Sequence, residues 1–261
     1  MNSITLTLEE LEYLLIQNKC DYLYGFPDAF IKIDREILYK TFDKIADDLE
    51  SREIIQRSFK GDINYNDDIK NIIDIIKNVN KYFDISIIEM SEISKKYRIF
   101  NTDKAYVIIE VIGKGGDKLD YSQIYIKNVE KDDLKQNANK VLCELFKVQN
   151  IKFTKQIIVK NDVYKKINKF DEDKFLANYE NTDAEDDGLL RLIYKTITYA
   201  EKVLSVVVTD MDKRESKSYM YVSAFKNIIR MEFDKKRDDF RWITSQIDAE
   251  VFSKDINLLF N

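Results

Sequence analysis

The reactive side chains of this 261-residue sequence limit its chemistry before any fold is considered. It contains no histidine. Ser-His-Asp and Cys-His catalysis, HExxH zinc sites and zinc-finger ligation all need histidine, so these classes are excluded. The six glycines never occur as GxxxxGK[ST] or GxGxxG, which excludes the common phosphate-binding loops. Enzymes that rely on carboxylates alone stay possible, but we predict no catalytic residue, no metal and no cofactor.

Two carboxylates, Asp103 and Glu110, lie on one predicted strand in an order typical of nuclease metal sites, Asp followed by Glu-x-Lys. That pattern needs a lysine two residues after the glutamate, where this sequence has Ile112. A separation of seven residues also puts the two carboxylates on opposite faces of a strand. We therefore interpret both as structural.

The segment Gly113-Lys-Gly-Gly-Asp-Lys118 has the composition of a phosphate loop. It joins two strand-like runs, however, and does not lead into a helix whose N-terminus would bind an anion. Glycine supplies the positive φ angles that tight reversals need. The segment therefore predicts the turn of a β-hairpin.

Residues 34–83 are predicted to form a helix, a small hairpin and a second helix, an order also found in winged-helix DNA-binding domains. A recognition helix would be rich in Lys, Arg, Asn and Gln. The helix predicted after Asn66 is mostly Asp, Asn and Ile. The formal net charge is −5, and basic residues alternate with acidic ones, which is typical of a solvated surface. We predict no nucleic-acid partner.

Tyrosine is unusually frequent, with 16 Tyr beside 15 Phe. Several tyrosines share predicted strands, and their even spacing is expected to place Tyr121 with Tyr125 and Tyr219 with Tyr221 on one face each. Tyrosine on an open sheet face offers rigid contact area with a polar tip. The alternative is a sheet covered on both sides, with tyrosine at the margin of the core. On the first interpretation the partner-binding candidates are Tyr106, Tyr121, Tyr125, Tyr219, Tyr221, Arg230, Arg241 and Trp242.

Two distant cysteines, Cys20 and Cys143, lie in apolar helix-like contexts, where free cysteine acts as a small hydrophobe. A reduced, cytoplasmic protein is therefore expected. No segment has the 18 to 20 consecutive apolar residues, roughly, that a membrane span needs, so no membrane insertion is predicted. A homodimer is possible.

Helix signals begin at Thr7 with Glu10, which form a capping box, and at Asp34, Asn66 or Asp67, and Asp248. Strands are expected near 85–91, 96–101, 103–112, 119–129, 203–209, 218–233 and 240–247, and either a strand or a helix is expected at 156–160. The predicted order of one helix, three strands and one helix therefore occurs twice along the chain. The predicted organisation is an N-terminal helical segment (1–65), a first half (66–148), a connecting segment (149–183) and a second half (184–261), in one compact unit. The fold class is α+β, with two antiparallel sheets related by a pseudo-twofold axis.

Several segments resemble the EspG family of cytosolic chaperones of type VII (ESX) secretion systems. They are Leu6-Thr-Leu-Glu-Glu-Leu-Glu-Tyr-Leu-Leu15, Gly25-Phe-Pro27, Leu49-Glu-Ser-Arg-Glu-Ile-Ile55, Gly61-Asp-Ile63, the duplicated halves and the closing helix. One departure is Glu53, where the family often has glycine.

The resemblance implies a quasi-twofold fold and a non-enzymatic chaperone or adaptor. Its expected partner is a helical secreted protein of the WXG100 or LXG type. The alternative function is an immunity protein that neutralises a cognate toxin. Gene neighbourhood separates the two, because a toxin-domain gene directly upstream favours immunity.

Overall fold

A computed structural model describes residues 3–20, 23–31, 33–60, 62–89, 92–102, 105–116, 118–130, 133–134, 156–160, 184–236 and 239–260. Asp103, Cys143 and the helices predicted over most of 130–146, 163–167 and 173–179 lie outside these residues.

The described residues form five helices and twelve strands. The helices are α1 (Leu8–Gln17), α2 (Arg35–Ser51), α3 (Asp67–Lys77), α4 (Ala184–Thr198) and α5 (Ala249–Leu259). The strands are β1 (Ile4–Leu6), β2 (Ile55–Arg57), β3 (Ile63–Tyr65), β4 (Lys81–Glu89), β5 (Glu92–Asn101), β6 (Ala105–Gly115), β7 (Lys118–Glu130), β8 (Gln156–Lys160), β9 (Lys202–Asp210), β10 (Glu215–Ala224), β11 (Asn227–Lys236) and β12 (Asp239–Ile247).

Ten strands form one antiparallel sheet in the order β1-β7-β6-β5-β4-β9-β10-β11-β12-β8, and β2 and β3 form a separate hairpin. Strand β4 pairs with β9 along its whole length, with Ile85 opposite Val206. This central pair joins the strands of the two halves. The prediction of two separate sheets was therefore wrong, because the β-branched strands at the two inner edges hydrogen-bond to each other.

The sheet is covered by helices on both faces. One core cluster contains Phe83, Ile99, Leu204 and Tyr221 from the middle of the sheet, together with Phe252, Ile256 and Phe260 from α5 and the residue after it. Side chains alternate between faces along a strand. Neighbouring residues such as Phe100, Val107 and Val222 therefore point to the opposite face. There α1 and α3 cover β5 to β7, α2 packs on α1, and α4 covers β10 and β11.

The predicted helix starts are confirmed. Thr7 Oγ1 accepts from the backbone N–H of Glu10 at 3.0 Å, and Glu10 Oε2 accepts from that of Thr7 at 2.7 Å. Asp34, Asn66 and Asp248 each cap a helix through a side-chain oxygen. A side-chain acceptor satisfies a backbone donor that has no partner inside the helix, so these residues fix where each helix begins.

The C-terminal end of α2 is a left-handed turn. The N–H of Ile54 donates to Leu49 O at 3.0 Å and that of Glu53 donates to Glu50 O at 3.0 Å, the bonding pattern of a Schellman cap. Glu53 has φ +57°, a conformation that favours glycine. This is the position at which the resembling family often has glycine.

A hairpin that the sequence pattern missed separates β10 from β11. Ala224 pairs with Asn227, so only Phe225 and Lys226 form the turn. Their φ angles are +50° and +63°, where Asn and Gly are the usual residues. Because Phe-Lys carries no turn signal, residues 218–233 were predicted as one long strand, and that prediction was wrong.

Candidate partner-binding surface

Two of the candidate tyrosines belong to the core. Tyr106 and Tyr221 are 1% and 0% exposed. Tyr106 donates its hydroxyl proton to Phe260 O at 3.3 Å. The ring of Tyr221 packs edge to face on Phe252, with the centroids 4.9 Å apart. Neither side chain is available to a partner, because α5 covers both.

A charged group lies beside Tyr221 on the same sheet face. The Tyr221 hydroxyl donates to Asp255 Oδ2 at 3.4 Å, and Arg230 Nε lies 3.2 Å from the same oxygen. Arg230 Nη2 also lies 3.1 Å from Glu232 Oε2. Burial raises the pKa of Asp255, and the nearby Arg230 opposes that rise. Tyr219 is half-buried next to this group and shares the face of Tyr221, as predicted.

Trp242 and Arg241 point to opposite faces. Trp242 is 9% exposed and packs on Phe233 at a centroid distance of 5.0 Å, in the cluster beneath α4. Arg241 is half-buried and forms an ion pair of 2.7 Å with Asp234. Trp242 is therefore a core residue, and only Arg241 of the two reaches solvent.

A bulge in β7 separates Tyr121 from Tyr125. Val111 pairs with Ile124, but its neighbour Ile112 pairs with Asp120, so three residues of β7 are extra. Tyr121 consequently packs on the same side as Ile124, edge to face with Phe26 at 6.2 Å. Tyr125 alternates to the other face and donates its hydroxyl proton to Gln123 Oε1 at 3.3 Å. The expectation that both share one face was wrong, because the extra residues reverse the alternation.

The candidates that retain exposed surface are thus Tyr121, Tyr125, Tyr219, Arg230 and Arg241. The structure does not bring them into one patch, since Tyr121 and Tyr125 point to opposite faces. Tyr219, Arg230 and Arg241 lie on one face, and Arg230 contacts Asp255 of α5.

An open cleft of about 810 Å³ lies at the end of the sheet where β4 and β6 finish and β5 and β9 begin. Small residues, namely Ser94, Gly113, Gly115 and Ala200, form much of its wall. The lining residues are Glu89, Glu92, Ile93, Ser94, Gly113, Gly115, Ala200, Glu201 and Lys202. No residue type in this set identified it beforehand, because it is assembled from the ends of several distant strands.

An exposed aromatic pair stands next to this cleft. Tyr199, directly before the lining residues Ala200 and Glu201, is 60% exposed, and Phe225 is 61% exposed. Their rings meet edge to face with centroids 5.8 Å apart. Sequence reasoning missed both, because Tyr199 directly follows the end of α4 and Phe225 lies in a turn that the sequence pattern did not indicate.

A buried carboxyl holds the loop that contains Gly25-Phe26-Pro27. Glu12 of α1 is 8% exposed and accepts the N–H of Ala29 at 2.8 Å. Burial raises its pKa to about 7, the Ala29 hydrogen bond lowers it, and the nearby Asp28 and Glu9 carboxylates raise it further. A small pocket adjoins it, lined also by Cys20, Phe26 and Asp28. One carboxyl group of α1 therefore holds the loop at Ala29.

Within the described ranges, no three His, Cys, Asp or Glu side chains are grouped closely enough to hold a metal ion. In the same part of the chain, no helix is both long and apolar enough to cross a bilayer.

No protein-family model matches the sequence, and no curated protein matches it. Fourteen chains of solved structures do match the fold. One is the type VII secretion system chaperone EspG5 of Mycobacterium tuberculosis, whose structure was solved in complex with a PE25–PPE41 dimer. The match covers 99% of this chain and 95% of that one, with a TM-score of 0.62 and 7% identity. The resemblance predicted from the sequence is thereby confirmed for the fold: this chain has the fold of a type VII secretion chaperone.

Proposed function

We propose that this chain is a non-enzymatic cytoplasmic chaperone or adaptor of a type VII secretion system, which binds a helical secreted protein of the WXG100 or LXG type. The observation that carries the proposal is the match to EspG5 over almost the whole of both chains. Since that chaperone was solved with a PE25–PPE41 dimer bound, its fold is able to present a protein-binding surface.

The position of the accessible candidates supports a surface on the sheet beside α5. Tyr219 offers apolar area with a polar tip, while Arg230 and Arg241 are half-buried and paired with acidic neighbours. Charge pairs at the rim of an interface set specificity more than affinity. In this arrangement the tyrosine supplies contact area, and the arginines select a partner with complementary charge. The pseudo-twofold relation of the halves is consistent with the central β4–β9 pair.

The test is co-expression with the helical proteins encoded by neighbouring secretion genes. A tagged form of this chain is purified, and complexes are resolved by size-exclusion chromatography. We expect a stoichiometric complex with at least one of them that survives gel filtration at 0.15 M salt. An unrelated helical protein of the same net charge serves as the control. Absence of a complex with every neighbouring product overturns the proposal.

A further inference from the structure

The turn that carries Phe225, one member of the exposed aromatic pair, is held by side-chain hydrogen bonds to its backbone. The Phe225 N–H donates to Glu201 Oε1 at 3.4 Å, and its carbonyl accepts from Asn227 Nδ2 at 3.0 Å. Asn227 Oδ1 in turn accepts from Gln246 Nε2 at 3.0 Å. Neighbouring elements therefore hold this turn at both of its ends.

The turn also carries backbone strain. Phe225 has φ +50°, where its Cβ crowds the following carbonyl oxygen. Glycine or asparagine relieves this strain, and neither would present a ring to solvent. Strained conformations that persist in a well-supported structure cluster at functional sites. A phenylalanine that is strained, 61% exposed and hydrogen-bonded through its backbone has the features of a preorganised contact residue.

The adjoining cleft adds a charge preference. Three of its lining residues are glutamates, Glu89, Glu92 and Glu201, and only one is a lysine. Lys202 already lies 3.5 Å from Glu89, so two carboxylates remain in excess. Lys226 follows Phe225 in the turn but is not among the lining residues. An acidic cleft beside an aromatic pair is complementary to an apolar side chain flanked by basic ones.

We propose that the Tyr199–Phe225 pair and the adjoining cleft bind the helical secreted partner through an apolar side chain that lysine or arginine flanks. This inference rests on the proposed function and names the chemistry of the partner's contacting segment. The pair supplies the apolar contact area, and the two carboxylates in excess, Glu92 and Glu201, give the cleft the negative charge that selects the flanking positive charge.

Phe225→Asn tests the aromatic contact without harming the fold, because asparagine tolerates left-handed φ. The probe is the helical secretion product that co-purifies with the wild type, and its Kd is measured by calorimetry at 0.05 and 0.3 M salt. We expect a Tm equal to or above that of the wild type and binding at least tenfold weaker. Tyr199→Ser is expected to weaken binding by a similar factor. Tyr39→Ser is its control, since Tyr39 is 59% exposed on α2.

The variant Glu89→Lys with Glu92→Lys tests the charge preference. We expect binding at least fivefold weaker at 0.05 M salt and a smaller difference at 0.3 M. Glu215→Lys, exposed at the opposite end of the sheet, is expected to bind as the wild type does.

The outcomes separate the two proposals. If the wild type binds none of the secretion products, the proposed function fails and this inference fails with it. If the wild type binds and Phe225→Asn binds equally well, the function stands and the inference is overturned. If the variant Glu89→Lys with Glu92→Lys has the wild-type Kd at both salt concentrations, the proposal of basic residues on the partner is overturned. If sedimentation shows self-association that Phe225→Asn abolishes, the occupant is a second copy of this chain, which also overturns the inference.

Discussion

Gly25 lies directly against the guanidinium of Arg98, so close that a Cβ atom on Gly25 would overlap Nη1. Arg98 is 4% exposed, and its Nη2 lies 2.7 Å from Asp84 Oδ2. Its Nη1 donates to Tyr24 O at 3.3 Å, and the guanidinium lies 5.4 Å from the centre of the Phe26 ring. One buried arginine therefore attaches the N-terminal loop to the middle of the sheet.

Gly25→Ala is expected to destabilise the protein by about 2–4 kcal/mol, the sum of overpacking against Arg98 and left-handed strain. Urea unfolding followed by circular dichroism measures the change. Gly116→Ala is the matched control, because Gly116 also has positive φ but a Cβ there meets no atom within 4 Å. Gly116→Ala is expected to lower the free energy of unfolding by about 1 kcal/mol. Equal effects of the two substitutions would show that the Arg98 contact is unimportant.

Because of Glu12, the free energy of unfolding is expected to fall as the pH rises. Burial raises its folded-state pKa from 4.5 to about 7, so the folded protein holds the proton more tightly than the unfolded chain does. Stability from this group is complete below about pH 4.5 and is lost as pH rises through about 7. We expect Glu12→Gln to flatten the pH dependence of unfolding between pH 5 and 8, and to stabilise by about 1–2 kcal/mol at pH 8.

Because the sequence has no histidine, no imidazole contributes to the pH dependence of unfolding in this range. Asp34→Asn, at an exposed helix cap, is the control and should leave the slope unchanged. A wild-type slope that persists in Glu12→Gln would assign the titration to another carboxyl group.

Glu53→Gly is expected to stabilise the protein by about 1 kcal/mol, since glycine takes φ +57° without strain. Lys19, with φ +58° at the end of α1, gives a second instance of the same cap. Thermal unfolding of both glycine variants measures the effect. Glu36→Gly is the control. It lies within α2 and should destabilise by a similar amount.

Phe252→Ala is expected to cost about 3–5 kcal/mol, because the ring is fully buried against Tyr221. Phe59→Ala, at a fully exposed site, should change stability by less than about 0.5 kcal/mol. Equal stabilities of the two variants in guanidinium unfolding would show that α5 does not pack as described.

Most helix predictions rested on local sequence signals. Such signals contain no information about which distant strands pair. Thr7, Asp34 and Asp248 bond within three residues of themselves, so their types alone fixed the helix starts. The β4–β9 pair joins two strands that read equally well as the edges of separate sheets. Only the complete packing decides between those arrangements.

The candidate surface was predicted less well, for two physical reasons. An alternation argument assumes a regular strand, and the bulge before Ile124 breaks it. Whether a strand tyrosine is exposed depends on the helix above it, and this is why Tyr106 and Tyr221 are buried while Tyr219 is not. The Phe225 turn was missed because a strained turn does not use the residues that favour turns.

The pairing of β4 with β9 also has a consequence for synthesis on the ribosome. Ile85 and Val206 are about 120 residues apart in sequence, so the inner edge of β4 waits for its partner until most of the chain has been made. Closing so long a loop is slow, and an unpaired apolar strand edge promotes aggregation. During synthesis, the first half of the chain therefore has an exposed edge at β4 until β9 has been made. The protein that we propose to be a chaperone thus itself passes through an aggregation-prone state.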